Sequence, residues 1–65
     1  MAQFRITLEA ARVNVGLSQK QAAPLIGVSL STLKNYENGK TRPNWDTLSK
    51  MSNTYKIPIG MLKCT

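Results

Sequence analysis

Few side chains in this sequence could carry out acid–base, nucleophilic or metal chemistry. The chain has 65 residues and no histidine, and Cys64 is its only cysteine. Histidine-dependent triads, metal sites built from histidine and cysteine, and an intrachain disulfide are therefore excluded. The three carboxylates, Glu9, Glu37 and Asp46, fall on three different predicted helices without a paired-carboxylate spacing. The sequence predicts a protein that is not an enzyme and that has no metal site and no cofactor.

Basic side chains dominate the charged residues instead. Nine Lys and Arg residues against three Asp and Glu residues give a formal net charge of +6 at pH 7. Such a balance favours a polyanionic partner, either nucleic acid or an anionic membrane surface. The membrane surface is disfavoured because the charges do not segregate along one amphipathic helix. With no apolar span of about 18 residues and no signal-peptide pattern, we expect a soluble, cytoplasmic protein.

The elements that must position these basic groups are short helices within a single domain. Apolar residues at Phe4, Leu8, Ala11 and Val15 form one stripe, which predicts a first helix that ends near Gly16. No segment alternates apolar and polar residues for long enough to predict a strand. The sequence therefore predicts an all-α fold, and the capping and helix-breaking residues divide it into five helices.

The second helix is delimited by capping residues. Ser18, followed by Gln21 three positions later, is a capping-box pattern, which predicts a helix from about Gln19 to Ile26. Gly27 suits the left-handed position that ends it. Pro24 lies inside this helix, where it cannot donate a backbone hydrogen bond, and it predicts a kinked or shortened helix.

The third helix follows after a very tight turn. Ser29 is predicted to cap it, Leu33 and Tyr36 to face inward, and Asn38-Gly39 to close it. Two helices of about eight residues that meet at so short a turn cannot lie antiparallel. They must cross, which is the geometry of a helix-turn-helix.

Two further helices are predicted in the last third of the chain. Asn44 caps a fourth helix, and Pro58 suits the start of a short fifth one. The apolar residues predicted to anchor these two helices are Leu48, Met51, Tyr55, Met61 and Leu62.

With these elements in place, the chain strongly resembles the Cro/repressor-type helix-turn-helix family, also called the XRE family, typified by bacteriophage repressors. The resemblance covers about residues 5–63 and implies a compact five-helix DNA-binding domain of residues 1–65, with the helix-turn-helix at about 18–38. The residues that carry it are Gly16-Leu17-Ser18-Gln19, Ala22-Ala23, Ile26-Gly27-Val28-Ser29, Ser31-Thr32-Leu33 and Tyr36-Glu37-Asn38-Gly39-Lys40, together with the segments 43–48 and 57–62.

This resemblance implies that the third helix is a recognition helix, lying in the major groove of DNA. On this sequence the base-contacting positions would be Ser29, Leu30, Ser31, Lys34 and Asn35. Asn35 could pair with adenine through two hydrogen bonds, and Lys34 could reach guanine or a phosphate. Leu30 departs from the family, which commonly has a polar or basic residue there, and could contact only an apolar edge such as a thymine methyl.

The resemblance also implies residues that hold the DNA backbone and the fold. Gln19 resembles the family's phosphate-contacting glutamine, and the phosphate contacts would be completed by Asn38, Lys40 and Arg42. Arg12 and Glu37 stand where the family often places an ion pair that links the first helix to the end of the third.

The C-terminal segment leaves two interpretations open. Ile57, Ile59, Met61 and Leu62 could simply close the core, or they could form the interface of a homodimer, as in family members that dimerise through the last helix. A two-fold dimer would place two recognition helices about 34 Å apart on a pseudopalindromic site.

Two functions follow as hypotheses. The first is a sequence-specific, double-stranded-DNA-binding transcriptional regulator, a repressor that binds its operator as a dimer, in the nucleoid of a bacterial or phage-infected cell. The second is an antitoxin-like protein-interaction module with autoregulatory DNA binding, in which the apolar C-terminal surface or Trp45 docks a protein partner. At the start of a helix, however, Trp45 is more often packed locally.

Overall fold

A computed structural model of the chain describes residues 5–63, a mostly helical domain with four α-helices. In chain order its elements are β1 (Ile6–Thr7), α1 (Leu8–Asn14), α2 (Gln19–Ile26), α3 (Leu30–Asn38), α4 (Trp45–Tyr55), a 3₁₀ helix (Ile59–Met61) and β2 (Leu62–Lys63). Among these residues, no helix combines the length and the apolar character that a bilayer crossing requires. Cys64 lies outside the described residues.

The first helix is shorter than its apolar stripe predicts. It begins at Leu8, because Thr7 has an extended backbone and its hydroxyl accepts the N–H of Ala10 at 3.1 Å. The two residues before Leu8 form β1, which pairs in parallel with β2. Phe4, with which the predicted stripe starts, lies outside the described residues.

The predicted fifth helix is wrong. In its place stand one 3₁₀ turn and β2, since Leu62 has an extended backbone (φ −79°, ψ 129°) and pairs opposite Ile6. This pairing buries Leu62 in the core with 7% of its surface exposed. Strands that pair from opposite ends of the sequence produce no local periodicity, so the sequence pattern does not predict them. The helical domain with its helix-turn-helix is therefore confirmed, whereas the five-helix count and the absence of strands are corrected.

The helices α2, α3 and α4 begin at the residues that their N-caps predict, and α2 and α3 also end where predicted. Ser18 Oγ accepts the Gln21 N–H while Gln21 Oε1 accepts the Ser18 N–H, which completes the capping box. Gly27 (φ 87°) and Gly39 (φ 78°) end α2 and α3 in the left-handed conformation that favours glycine. Asn44 Oδ1 accepts an N–H of the first turn of α4.

A single core lies between the helices. Two adjacent small residues, Ala22 and Ala23, allow α2 to pack against both α3 and α4. The buried apolar residues are Leu8, Ala11, Ala22, Ala23, Ile26, Leu33, Met51, Tyr55 and Leu62. Because α3 contributes only Leu33 to this set, most of its surface stays outside the core.

A cation lies at the end of α2. The Lys50 ammonium of α4 is 3.8 Å from the place that a Cβ on Gly27 would occupy. The ammonium therefore lies near the C-terminal end of α2, where the partial negative charge of a helix end favours a cation. From the sequence alone, no role is expected for Lys50.

Pro24 does not shorten α2, which extends two residues beyond it to Ile26. The hydrogen bonds on either side of the proline are retained: the Ala22 N–H donates to Ser18 O and the Gly27 N–H to Ala23 O, both at 2.9 Å. The missing N–H nevertheless leaves one carbonyl of the preceding turn without its helical donor.

Replacing Pro24 with alanine is expected to stabilise the domain by about 1–2 kcal/mol. The substitution restores the N–H and removes the clash, which stabilises the folded helix by up to about 3 kcal/mol. This gain is partly offset because alanine gives the unfolded chain more conformational freedom, which lowers the free energy of unfolding by about 0.4–1 kcal/mol. Urea unfolding would measure the change. The control is Leu25→Ala, which changes an exposed side chain of the same helix and should alter stability by less than about 0.5 kcal/mol. A destabilised Pro24→Ala variant would contradict this expectation.

Candidate nucleic-acid interface

The outer face of α3 is polar and carries no exposed acid. Leu33 is 0% exposed and fixes the rotation of the helix about its axis. On the other side Leu30, Ser31 and Lys34 are exposed and Asn35 is half-buried. This face therefore offers a hydroxyl, an amide, an ammonium and one apolar side chain to a partner.

Ser29, also predicted to contact bases, has its hydroxyl engaged in the cap of α3. Its Oγ accepts the Thr32 N–H at 3.1 Å and donates to Thr32 Oγ1 at 2.8 Å. The hydroxyl of Ser29 is thus committed to Thr32 in this structure, and the remaining predicted base contacts lie on the helix itself.

The loop after α3 is held against the last turn of that helix. The carbonyl of Asn35 accepts the Lys40 N–H at 3.0 Å, and the carbonyl of Tyr36 accepts the Gly39 N–H at 3.3 Å. Lys40 and Arg42 are both exposed. These cations, together with the exposed Asn38 at the end of α3, therefore lie beside the polar face and not on a detached loop.

A buried ion pair joins α3 to α1. Arg12 Nε donates to Glu37 Oε2 at 2.8 Å and Arg12 Nη2 donates to Glu37 Oε1 at 3.3 Å, with side chains 10% and 3% exposed. Arg12 Nη1 also donates to the carbonyl of Leu17, at 2.7 Å. The hydrogen bond to Glu37, opposed by desolvation, raises the pKa of Arg12 above its usual value. One guanidinium thus ties together α1, the connection to α2, and α3.

Gln19 belongs to the same network, although the sequence does not predict that it contacts Glu37. Its Nε2 donates to Glu37 Oε1 at 2.8 Å. The resemblance implies a phosphate contact for Gln19, yet part of its amide is bound inside the protein. Since the two residues are eighteen positions apart, no local spacing signals the contact.

Tyr55 lies in the core near this ion pair. It is 0% exposed, and among the described residues its hydroxyl has no hydrogen-bond partner. Burial raises the pKa of Tyr55 to about 12; the charge of Glu37 adds to the rise and that of Arg12 opposes it.

The predicted dimer surface is divided by the fold. Leu62 lies in the core of its own chain, so its assignment to an interface is corrected. Ile57, Ile59 and Met61 are half-buried. Trp45 is 69% exposed, and the expectation that it packs locally is wrong because the first position of α4 projects it away from the core.

Comparison with known proteins identifies the class. The helix-turn-helix family model matches residues 8–62. The chain therefore belongs to the helix-turn-helix family of the XRE type, whose members are DNA-binding proteins and not enzymes.

Three curated relatives are transcriptional regulators by name. The chain is 40% identical over 55 residues to the HTH-type transcriptional regulator ImmR of Bacillus subtilis (strain 168), covering 85% of this chain and 43% of ImmR. It is 34% identical to the cryptic phage CTXphi transcriptional repressor RstR of Vibrio cholerae, over 91% of this chain and 53% of RstR. It is 32% identical to the SPbeta prophage-derived uncharacterized HTH-type transcriptional regulator YonR of Bacillus subtilis (strain 168), over 91% of this chain and 55% of YonR.

The chain spans about half the length of these curated relatives. No solved structure matches it significantly.

Stability should fall as the pH rises through the titration of Tyr55. The unfolded chain releases the phenol proton near pH 10, whereas the folded state holds it to about 12, so the free energy of unfolding decreases between these two values. Urea unfolding across this range would measure the decrease, which Tyr55→Phe should reduce. Equal pH dependence in wild type and Tyr55→Phe would contradict the assignment.

Proposed function

We propose that this domain binds double-stranded DNA in a sequence-specific manner and acts as a transcriptional repressor. The observation that carries the proposal is the outer face of α3: an acid-free polar surface, turned outward by Leu33 and flanked by Lys40 and Arg42. Family membership and the transcriptional regulators among its relatives support the same function.

In this proposal α3 lies in the major groove, whose width admits one helix. Asn35 reads adenine with its amide, and Lys34 reaches guanine or a phosphate. Ser31 adds an adaptable hydroxyl, and Leu30 contacts a thymine methyl. Ser29 contributes less than its neighbours on the helix because its hydroxyl caps α3.

The DNA backbone is held by groups on either side of α3. Lys40 and Arg42 neutralise phosphates, while Asn38 and Gln19 donate neutral hydrogen bonds. If each protomer neutralises two phosphates through Lys40 and Arg42, or three with Lys34, a dimer neutralises about 4–6, and log affinity falls with log salt with a slope of about −4 to −5.

Binding occurs as a homodimer on a pseudopalindromic operator. Ile57, Ile59 and Met61 supply apolar surface near the C-terminal end of the described residues. A two-fold axis there would place the two α3 helices one turn of DNA apart, about 34 Å. Repression then follows from occupying a site that overlaps a promoter.

Selection from a random duplex library tests the proposal. The wild-type protein is expected to enrich a pseudopalindrome. Asn35→Ala should relax one base pair in each half-site, because it removes a direct readout contact. Lys40→Ala should keep the site, weaken binding, and flatten the salt slope by about 0.9 for each phosphate lost.

The control for the lysine substitution is Lys63→Ala, at an exposed lysine of β2 outside the proposed interface. It should change neither the selected sequence nor the slope. No enrichment by the wild-type protein, with weak and salt-sensitive binding to every duplex, would contradict the proposal and favour a protein-interaction module.

A further inference from the structure

Gln19 and Glu37 meet at the open end of the helix-turn-helix. Gln19 is the first residue of α2 and Glu37 lies in the last turn of α3. Each is eight positions from the turn at residues 27–29, so each helix arm is about 12 Å long. The 2.8 Å bond from Gln19 Nε2 to Glu37 Oε1 therefore bridges the two arms where they are farthest from their connection.

The chemistry of the two groups fixes which way the Gln19 amide faces. A carboxylate can only accept hydrogen bonds, so the amide nitrogen, and not the amide oxygen, must face Glu37. The carboxylate is itself held in place, because Oε2 accepts from Arg12 Nε and Oε1 accepts from Arg12 Nη2. One N–H of Gln19 is thus committed to a fixed acceptor, and the second N–H remains on the same nitrogen.

We propose that Glu37 is a positioning residue for DNA binding, which orients the amide of Gln19 so that its second N–H is presented to a phosphate at the start of α2. This inference rests on the proposed function. Without Glu37 the amide could turn its oxygen toward the phosphate, where two acceptors would face each other. Glu37 therefore holds the amide in the donating orientation before DNA binds, so that Gln19 need not be ordered on binding.

The same bond sets the spacing between two kinds of DNA contact. It connects the phosphate contact at the start of α2 to α3, which carries the base contacts. By bonding to Gln19 across the open end of the two helices, Glu37 keeps the distance between these contacts fixed. Because Gln19 is neutral, its contact releases no counterion, and its loss should leave the salt slope unchanged.

Two double variants, used as backgrounds for a further substitution, separate the effect of the hydrogen-bond acceptor at position 37 from the effect of the ion pair. Arg12→Met with Glu37→Gln removes both charges and keeps an oxygen that can accept from Gln19. Arg12→Met with Glu37→Met removes both charges and the acceptor. Replacing both members of a buried pair avoids a stranded charge, so both backgrounds are expected to fold.

Gln19→Ala is then measured in each background against the duplex selected by the wild-type protein, at fixed salt. It should weaken binding about tenfold or more in the wild type and in the Glu37→Gln background, as for a hydrogen bond to a charged group. In the Glu37→Met background the loss should be about two- to tenfold smaller than in the wild type, since ordering the free side chain on binding offsets that part of the contact. Equal losses in all three would overturn the proposal.

Side-chain ¹⁵N relaxation of the DNA-free protein gives an independent readout. The Gln19 amide should be rigid in the wild type and in the Glu37→Gln background, and mobile in the Glu37→Met background. A mobile amide in the wild type would overturn the positioning role even if DNA binds. Absence of duplex binding by the wild type would instead remove the proposed function, and this inference with it.

Discussion

The buried carboxylate of Glu37 is the constraint on which the rest of this small domain depends. A carboxylate removed from water is costly unless its oxygens are paired. Here three donors from two side chains, Arg12 and Gln19, occupy both oxygens. The same arginine holds the carbonyl of Leu17. α1, the start of α2 and the end of α3 are thereby held in one arrangement by a single group.

This constraint matters because α3 has little else to hold it. Of its nine residues only Leu33 is buried in the core. A helix attached only by Leu33, by the half-buried Tyr36 and by a short turn could pivot, and a pivoting helix could not keep several side chains against defined base edges. Glu37 supplies a further attachment near the C-terminal end of α3. The free-energy cost of burying its charge is offset by the donors of Arg12 and Gln19. The outer face of α3 is then free of any packing role and can be polar.

The sequence predicts most of what is local. Ser18, Ser29 and Asn44 begin their helices as expected, since a cap and the N–H that it accepts are three residues apart. What it misses is non-local. The β1–β2 pairing, and with it the burial of Leu62, connects the two ends of the described residues.

For the candidate site, the elements are predicted and the geometry is not. The bounds of α3 and the loop that carries Lys40 and Arg42 follow from caps and turns. The engaged hydroxyl of Ser29 and the bond between Gln19 and Glu37 depend on three-dimensional placement. The exposure of Trp45 likewise follows from how α4 is set against the core, which its helical periodicity alone does not specify.

A double-mutant cycle at Arg12 and Glu37, followed by urea unfolding, tests the central claim most directly. Because the Glu37 side chain is 3% exposed, Arg12→Met alone should strand its charge and cost about 3–5 kcal/mol. Adding Glu37→Met should recover much of that loss, which gives a coupling energy of about 2 kcal/mol or more. Additive losses with no coupling would contradict the account, since the pair would then not hold α3 in place.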